Sequence, residues 1–115
     1  MKKIAILSLM LIALASCTTT VPSLYTWNNY SEATYNYIKS RSDADKVALM
    51  KTYDVMIKKQ AGLRKCVPPG VYADYGFLLI QAGETDKGRD MLNKEIELYP
   101  ESKTLIAHLL NSTAK

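Results

Sequence analysis

Histidine occurs once in this 115-residue chain, cysteine twice, and tryptophan and phenylalanine once each. That scarcity narrows the chemistry. A structural zinc site normally takes four Cys- or His-type ligands, and Cys17, Cys66 and His108 do not make up such a set. An activated nucleophile needs a base within hydrogen-bond reach and a third group to orient it. Cys66 with His108 is the one conceivable pair, and no spacing in the sequence brings them together. The five glycines are isolated turn, cap or packing positions, so there is no phosphate-cradling loop. No window alternates apolar and polar residues with period two, which argues against strands. No apolar run reaches the roughly 20 residues that a membrane-spanning helix takes. The expectation is a chain without metal, cofactor or catalytic residues, and not an enzyme.

What is present begins at the amino end. Lys2 and Lys3 precede an unbroken run of apolar and weakly polar residues from Ile4 to Ala15, and small residues lead into Cys17. This is the basic, apolar and small-residue order of an export signal. Leu14-Ala15-Ser16-Cys17 resembles the bacterial lipobox, in which the cysteine sulfur is diacylated, the peptide is cut before it and the new amine is acylated. Residues 1–16 therefore read as a lipoprotein signal peptide and Cys17 as the lipidation site. Two or more acyl chains anchor firmly where one does so only marginally. Residues 17–115 carry thirteen basic against eleven acidic side chains, because Lys2 and Lys3 leave with the signal. A net +2 is nearly balanced and does not indicate nucleic acid. With Cys17 acylated, Cys66 has no partner within the chain, and is either buried or free to bridge another chain.

Residues 17–23 form the lipidated cysteine and a short polar tether, and residues 24–115 a single helical domain. Six tether residues span about 20 Å at most, so the domain stays near the membrane. Leu24 to Tyr30 is an aromatic lead-in, with Tyr25 and Trp27 on one face if extended. It either meets head groups or a partner, or folds back to plug the end of the core. A first helix runs from Ser31 to about Ser40, with Tyr35 and Ile38 spaced to share a face. Ser42 and Asp45 form a weak capping box for a second helix to about Ala61, which Gly62 closes. Pro68-Pro69-Gly70 interrupts regular structure. A third helix over Val71–Ala82 carries Tyr72, Tyr75, Gly76 and Leu79 at helical spacing. Gly83 closes it, Thr85 caps a fourth helix to about Tyr99, and Pro100 breaks that one. A last helix pairs Leu105 with Leu109 and Ile106 with Leu110. The fold class is all-α, with about five helices.

The third and fourth helices resemble a tetratricopeptide unit, a helix–turn–helix of 34 residues. Gly88 stands where alanine is usual at the closest approach, Leu92 fills the large apolar slot and Pro100 ends the unit. Glu95 replaces a small apolar residue; pointing inward it needs a hydrogen-bonding partner, and a tyrosine is expected. The first two helices fit the template loosely. Tyr25-Thr26-Trp27-Asn28-Asn29-Tyr30-Ser31, Val67 through Gly76, and Glu95 through Ser102 resemble a narrower group, the lipoprotein family known as domain of unknown function 4810. The resemblance implies a small Gram-negative lipoprotein, often encoded beside a curli-secretion-channel-like (CsgG-like) lipoprotein. It implies no activity and no cofactor. Thr18 after the cysteine is not the aspartate of inner-membrane retention, so the resemblance to sorted lipoproteins implies the outer membrane, facing the periplasm.

The function expected is a non-catalytic protein-binding or assembly subunit of an envelope lipoprotein complex, attached to the membrane through Cys17. Pro68, Pro69, Gly70, Tyr72 and Tyr75 are its expected recognition edge, with Trp27 as a further contact. A regulator of an envelope cell-wall enzyme, or less readily such an enzyme itself, is the alternative. Glu97 and Glu101 read as a solvated face. Lys58, Lys59, Arg64 and Lys65 form a basic patch, either the favourable end of a helix or a docking surface for acidic partners or head groups.

Overall fold

The structure, a computed structural model, describes residues 20–113. The expected signal peptide, Cys17 and the first tether residues lie outside the described residues. Five α-helices follow in order: α1 Tyr30–Ser40, α2 Asp43–Lys58, α3 Val71–Gln81, α4 Thr85–Leu98 and α5 Lys103–Thr113, with a 3-10 turn Pro100–Ser102 before the last. There is no strand among the described residues, and the chain is all-α as the patterning predicts. No helix among these residues is long and apolar enough to cross a membrane.

Local chemistry sets most boundaries. Ser42 caps α2 in extended backbone, its hydroxyl accepting from the Asp45 N–H at 3.1 Å and donating to the Asp45 carboxylate at 2.8 Å. A second hydroxyl, from Ser40, donates to the same carboxylate, and Ser40 first, then Ser42, hold the Asp45 carboxyl below its ordinary range. The helix ends at Lys58 rather than Ala61 because other partners compete for the next groups. The Gln60 side chain donates to the Ile57 carbonyl at 2.8 Å, and the Ala61 N–H donates to Thr26 Oγ1 at 3.0 Å. Gly62 is thus not the helix-closing residue. It is where the chain passes the lead-in segment, since a Cβ there would stand 2.4 Å from the Leu24 carbonyl oxygen. After α3, Gly83 takes φ +88°, with its N–H on the Ile80 carbonyl and the Glu84 N–H on Leu79. That is the paired closure that a left-handed residue permits. Glu84 rather than Thr85 holds the cap position of α4, and Thr85 is already helical.

Helix α1 packs on α2 and α3 packs on α4, with α3 shared between two apolar clusters. The first cluster joins Ala33, Leu49, Tyr53, Met56, Val67, Val71 and Leu78; the second joins Ala73, Leu92 and Ile106, with Ile80, Ile96 and Leu110 against it. Burying a side chain such as Met56, Leu92 or Ile106 contributes about 1.5–3 kcal/mol each. Tyr35 and Ile38 do share a face of α1, but it is the outer one, 62% and 59% exposed. Ala33, with Tyr30 and Tyr37, is the side of α1 that meets the core.

Candidate functional site: a groove between α1 and α3

The residues expected to form a recognition edge fall in three places. Pro68 is buried, Pro69 exposed and Gly70 between them and α3, with φ +92°. This turn is fastened to α4. The Gly70 N–H donates to Glu95 Oε1 at 2.7 Å, and Tyr99 Oη donates to the Val67 carbonyl at 2.6 Å. Glu95 is fully buried, and its partners are this backbone N–H and, at 3.3 Å, the Ser102 hydroxyl, not a tyrosine. Spacing alone did not bring Gly70 and Ser102 to it, because the contact depends on how the 67–70 turn folds back.

Tyr72 lines a shallow cavity of about 470 Å³ with Cys66, Lys65, Lys94 and Leu98, and Lys94 Nζ lies 6.0 Å from its ring centre. The Cys66 thiol is half-buried and 3.8 Å from Tyr99 Oη, whereas His108 is exposed on α5. Burial first, then the neighbouring Cys66, pushes the Tyr99 phenol well above its usual range. Tyr75 and Trp27 belong to one chain of rings. Tyr25, Trp27, Tyr30, Tyr53 and Tyr75 follow one another with centroid separations of 6.2, 5.5, 5.8 and 5.9 Å, within the 4.5–7 Å range of favourable aromatic pairs. Trp27 remains 44% exposed. The lead-in packs against the core through Tyr30 and leaves the Trp27 indole partly exposed.

A better-formed recess lies between α1 and α3, with α2 as its floor. It holds about 270 Å³ and is lined by Thr34, Tyr37 and Arg41 from the α1 side, Leu49 and Tyr53 from α2, and Asp74, Phe77, Leu78 and Gln81 from α3. The positions 34, 37 and 41, and 74, 77, 78 and 81, each follow one helical face. Leu49, Tyr53, Phe77 and Leu78 supply its apolar surface, and Thr34, Arg41, Asp74 and Gln81 its polar groups. Thr34 Oγ1 is buried and has no hydrogen-bond partner among the described residues. Tyr53 Oη donates to Asp74 at a long 3.4 Å, and burial followed by the Asp74 charge pushes the Tyr53 phenol far up. The Asp74 carboxyl is itself raised, by burial above all and by the Glu95 charge, against the lowering effect of Tyr53. Arg41 adopts a left-handed backbone (φ 52°) and carries its guanidinium 6.0 Å from the Tyr37 ring.

The sequence reading did not find this recess. Thr34, Phe77 and Gln81 lie on faces that look unremarkable until three helices are placed together, and the available signal was the 74/77/78/81 stripe beside the tyrosine stripe of α3. Among the described residues no group of three or more His, Cys, Asp or Glu side chains is placed to hold a metal ion. No curated protein and no solved structure matches the chain significantly. The family model described as Domain of unknown function (DUF4810) matches residues 24–109, and the chain belongs to that family.

Proposed function

We propose that this protein is a lipid-anchored, non-catalytic binding subunit of an envelope lipoprotein complex, and that its α1–α3 groove holds a segment of a partner protein. The observation that carries the reading is the groove itself: a recess of about 270 Å³ lined in part by Tyr37, Tyr53 and Phe77, with a buried Thr34 hydroxyl that finds no partner among the described residues. A buried hydroxyl without a partner is costly, and a backbone group of an inserted segment would supply one. Arg41 and Asp74, of opposite charge, give the recess a polarity that orients such a segment. Grooves between helices serve peptide and helix recognition in this way. The anchor is Cys17, the membrane is the outer membrane with the domain facing the periplasm, and a curli-secretion-channel-like lipoprotein is the first partner to test. Pro69, Tyr72, Tyr75 and Trp27 lie outside the recess lining and serve as secondary contacts.

The test is photo-crosslinking in intact membranes. A benzophenone amino acid replaces Gln81, exposed at the groove, or Asp90, exposed on α4. Adducts with an envelope lipoprotein from position 81 and not from 90 are expected. Equal adducts from both, or none from 81, would overturn the groove reading. Adducts to a cell-wall enzyme alone would transfer the role to enzyme regulation.

A further inference from the structure

Two stretches far apart in sequence are locked side by side at the tether end of the domain. The Leu63 N–H donates to the Ser23 carbonyl at 3.1 Å, and the Arg64 N–H to the Leu24 carbonyl at 3.0 Å. Thr26 Oγ1 accepts from the Ala61 N–H at 3.0 Å, and Gly62 permits the contact because any Cβ would overlap Leu24. The pairing gathers side chains that neither stretch assembles alone. Val21, Leu24, Trp27 and Leu63 are 87%, 53%, 44% and 62% exposed. Lys59, Arg64 and Lys65 are exposed beside them, and among the described residues none of the three is in an ion pair. The nearby Lys58 is different, being held at 2.7 Å by Asp54. Residues 20–31 and 59–70 contain no aspartate or glutamate, and the acid that shares a cavity with Lys65 is Glu97 of α4, beside Lys94.

We infer that this surface is a docking face for an anionic phospholipid bilayer. Exposed leucine and valine beside cations, with a tryptophan at the margin, is the composition that settles at a head-group boundary. A negative leaflet attracts Lys and Arg within a Debye length. An acidic protein face would match the charge but would not need the exposed apolar residues around it. The distance fits as well, and in this respect alone the inference rests on the Cys17 anchor: residues 17–24 reach about 27 Å at most, which keeps the face at the membrane. The face thereby sets how the domain lies on the membrane and leaves the α1–α3 groove to a partner.

Trp27 is the only tryptophan of the chain, so all tryptophan emission arises at this face. The lipoprotein is purified in detergent, its intact mass is measured, and it is reconstituted in 3:1 phosphatidylethanolamine–phosphatidylglycerol vesicles with brominated acyl chains. The expected result is a blue shift and bromine quenching of Trp27, with quenching at least halved in the variant Leu63→Gln/Arg64→Gln/Lys65→Gln. All three positions are exposed, so the variant keeps its fold, which its melting curve checks. Unquenched Trp27 emission, or equal quenching in the variant, would overturn the inference. The mass separates the two readings. A chain without acyl groups refutes the anchor, while the difference in Trp27 quenching between the two proteins still decides the docking face.

Discussion

Glu95 is the side chain on which the α3–α4 junction turns. Its Oε1 takes the Gly70 N–H and the Ser102 hydroxyl, and its Oε2 is buried without a partner among the described residues. Removing the side chain leaves a buried N–H without an acceptor and a cavity beside it. Glu95→Ala is therefore expected to cost about 2–4 kcal/mol. Glu95→Gln keeps a carbonyl oxygen for Gly70 and is expected to stay within about 1 kcal/mol of the parent chain. Urea midpoints decide, and a glutamine variant as unstable as the alanine one would show that the charge itself is needed. Asp74 offers a pH test of opposite character to Asp45. A carboxyl raised in the folded state binds its proton more tightly there than in the unfolded chain. Its ionisation then costs stability as pH rises from the ordinary carboxylate value through the raised one. Asp45 is lowered, so its contribution is present above the ordinary value and lost as pH falls. Asp74 is exposed at the recess rim, which screens the effect, so Asp74→Asn should melt only slightly above the parent at pH 7 and together with it near pH 3. A variant that melts lower at pH 7 would mean that Asp74 holds a stabilising partner.

At the scale of elements, two glycines fix the closeness of α3 and α4. A Cβ on Gly76 would lie 2.7 Å from the Gly88 carbonyl oxygen, and one on Gly88 would lie 2.6 Å from the Gly76 oxygen and 2.5 Å from Ile80 Cγ1. Helix propensity favours alanine over glycine by about 1 kcal/mol, while overpacking costs roughly 1–3 kcal/mol. The obstacle is mainly backbone, which cannot rotate away, so the steric cost should win. Gly88→Ala is expected to lower stability by about 1–2 kcal/mol, and Gly76→Ala added to it should cost less than it does alone. Thermal melting of the three variants checks this, and a stabilised Gly88→Ala would show that the helices separate freely. Gly88 as the point of closest approach was legible in the sequence, as were α3, the cap at Ser42, the stop at Pro100 and the inward Glu95. What escaped depended on distant partners. The end of α2 was overrun because Thr26, 35 residues away in sequence, takes the Ala61 N–H. Which face of α1 turns outward was not legible, because a Tyr35/Ile38 stripe states which residues share a face and not whether a neighbour covers it. The groove escaped for the same reason, since no single helix contains it.

Over the whole molecule, the two apolar clusters raise the question of whether the domain unfolds in one step. Helix α3 links them physically, because Val71 and Leu78 belong to one cluster and Ala73 to the other. The Glu95–Gly70 and Tyr99–Val67 bonds tie α4 and its C-cap residue to the turn that starts α3. A small domain with its central helix shared in this way should unfold cooperatively. Two probes report from different ends. Trp27 emission follows the first cluster, since its ring leads through Tyr30 to the buried Tyr53. Far-UV circular dichroism follows all five helices. Leu92 lies in the second cluster, 2% exposed, and Leu92→Ala should remove about 2–5 kcal/mol. If the clusters are coupled, that substitution lowers the urea midpoint of Trp27 emission as far as that of the helical signal, although Leu92 belongs to the cluster that Trp27 does not report. Met56→Ala, in the first cluster, should move both probes together in the same way. A Trp27 transition left in place by Leu92→Ala while the helical signal splits would show two independently folding halves, with α1 and α2 standing apart from α4 and α5. The coupled outcome has a consequence for binding: a segment that fills the groove between α1 and α3 would then stabilise α4 and α5 as well, by RT ln(1 + c/Kd) at free segment concentration c.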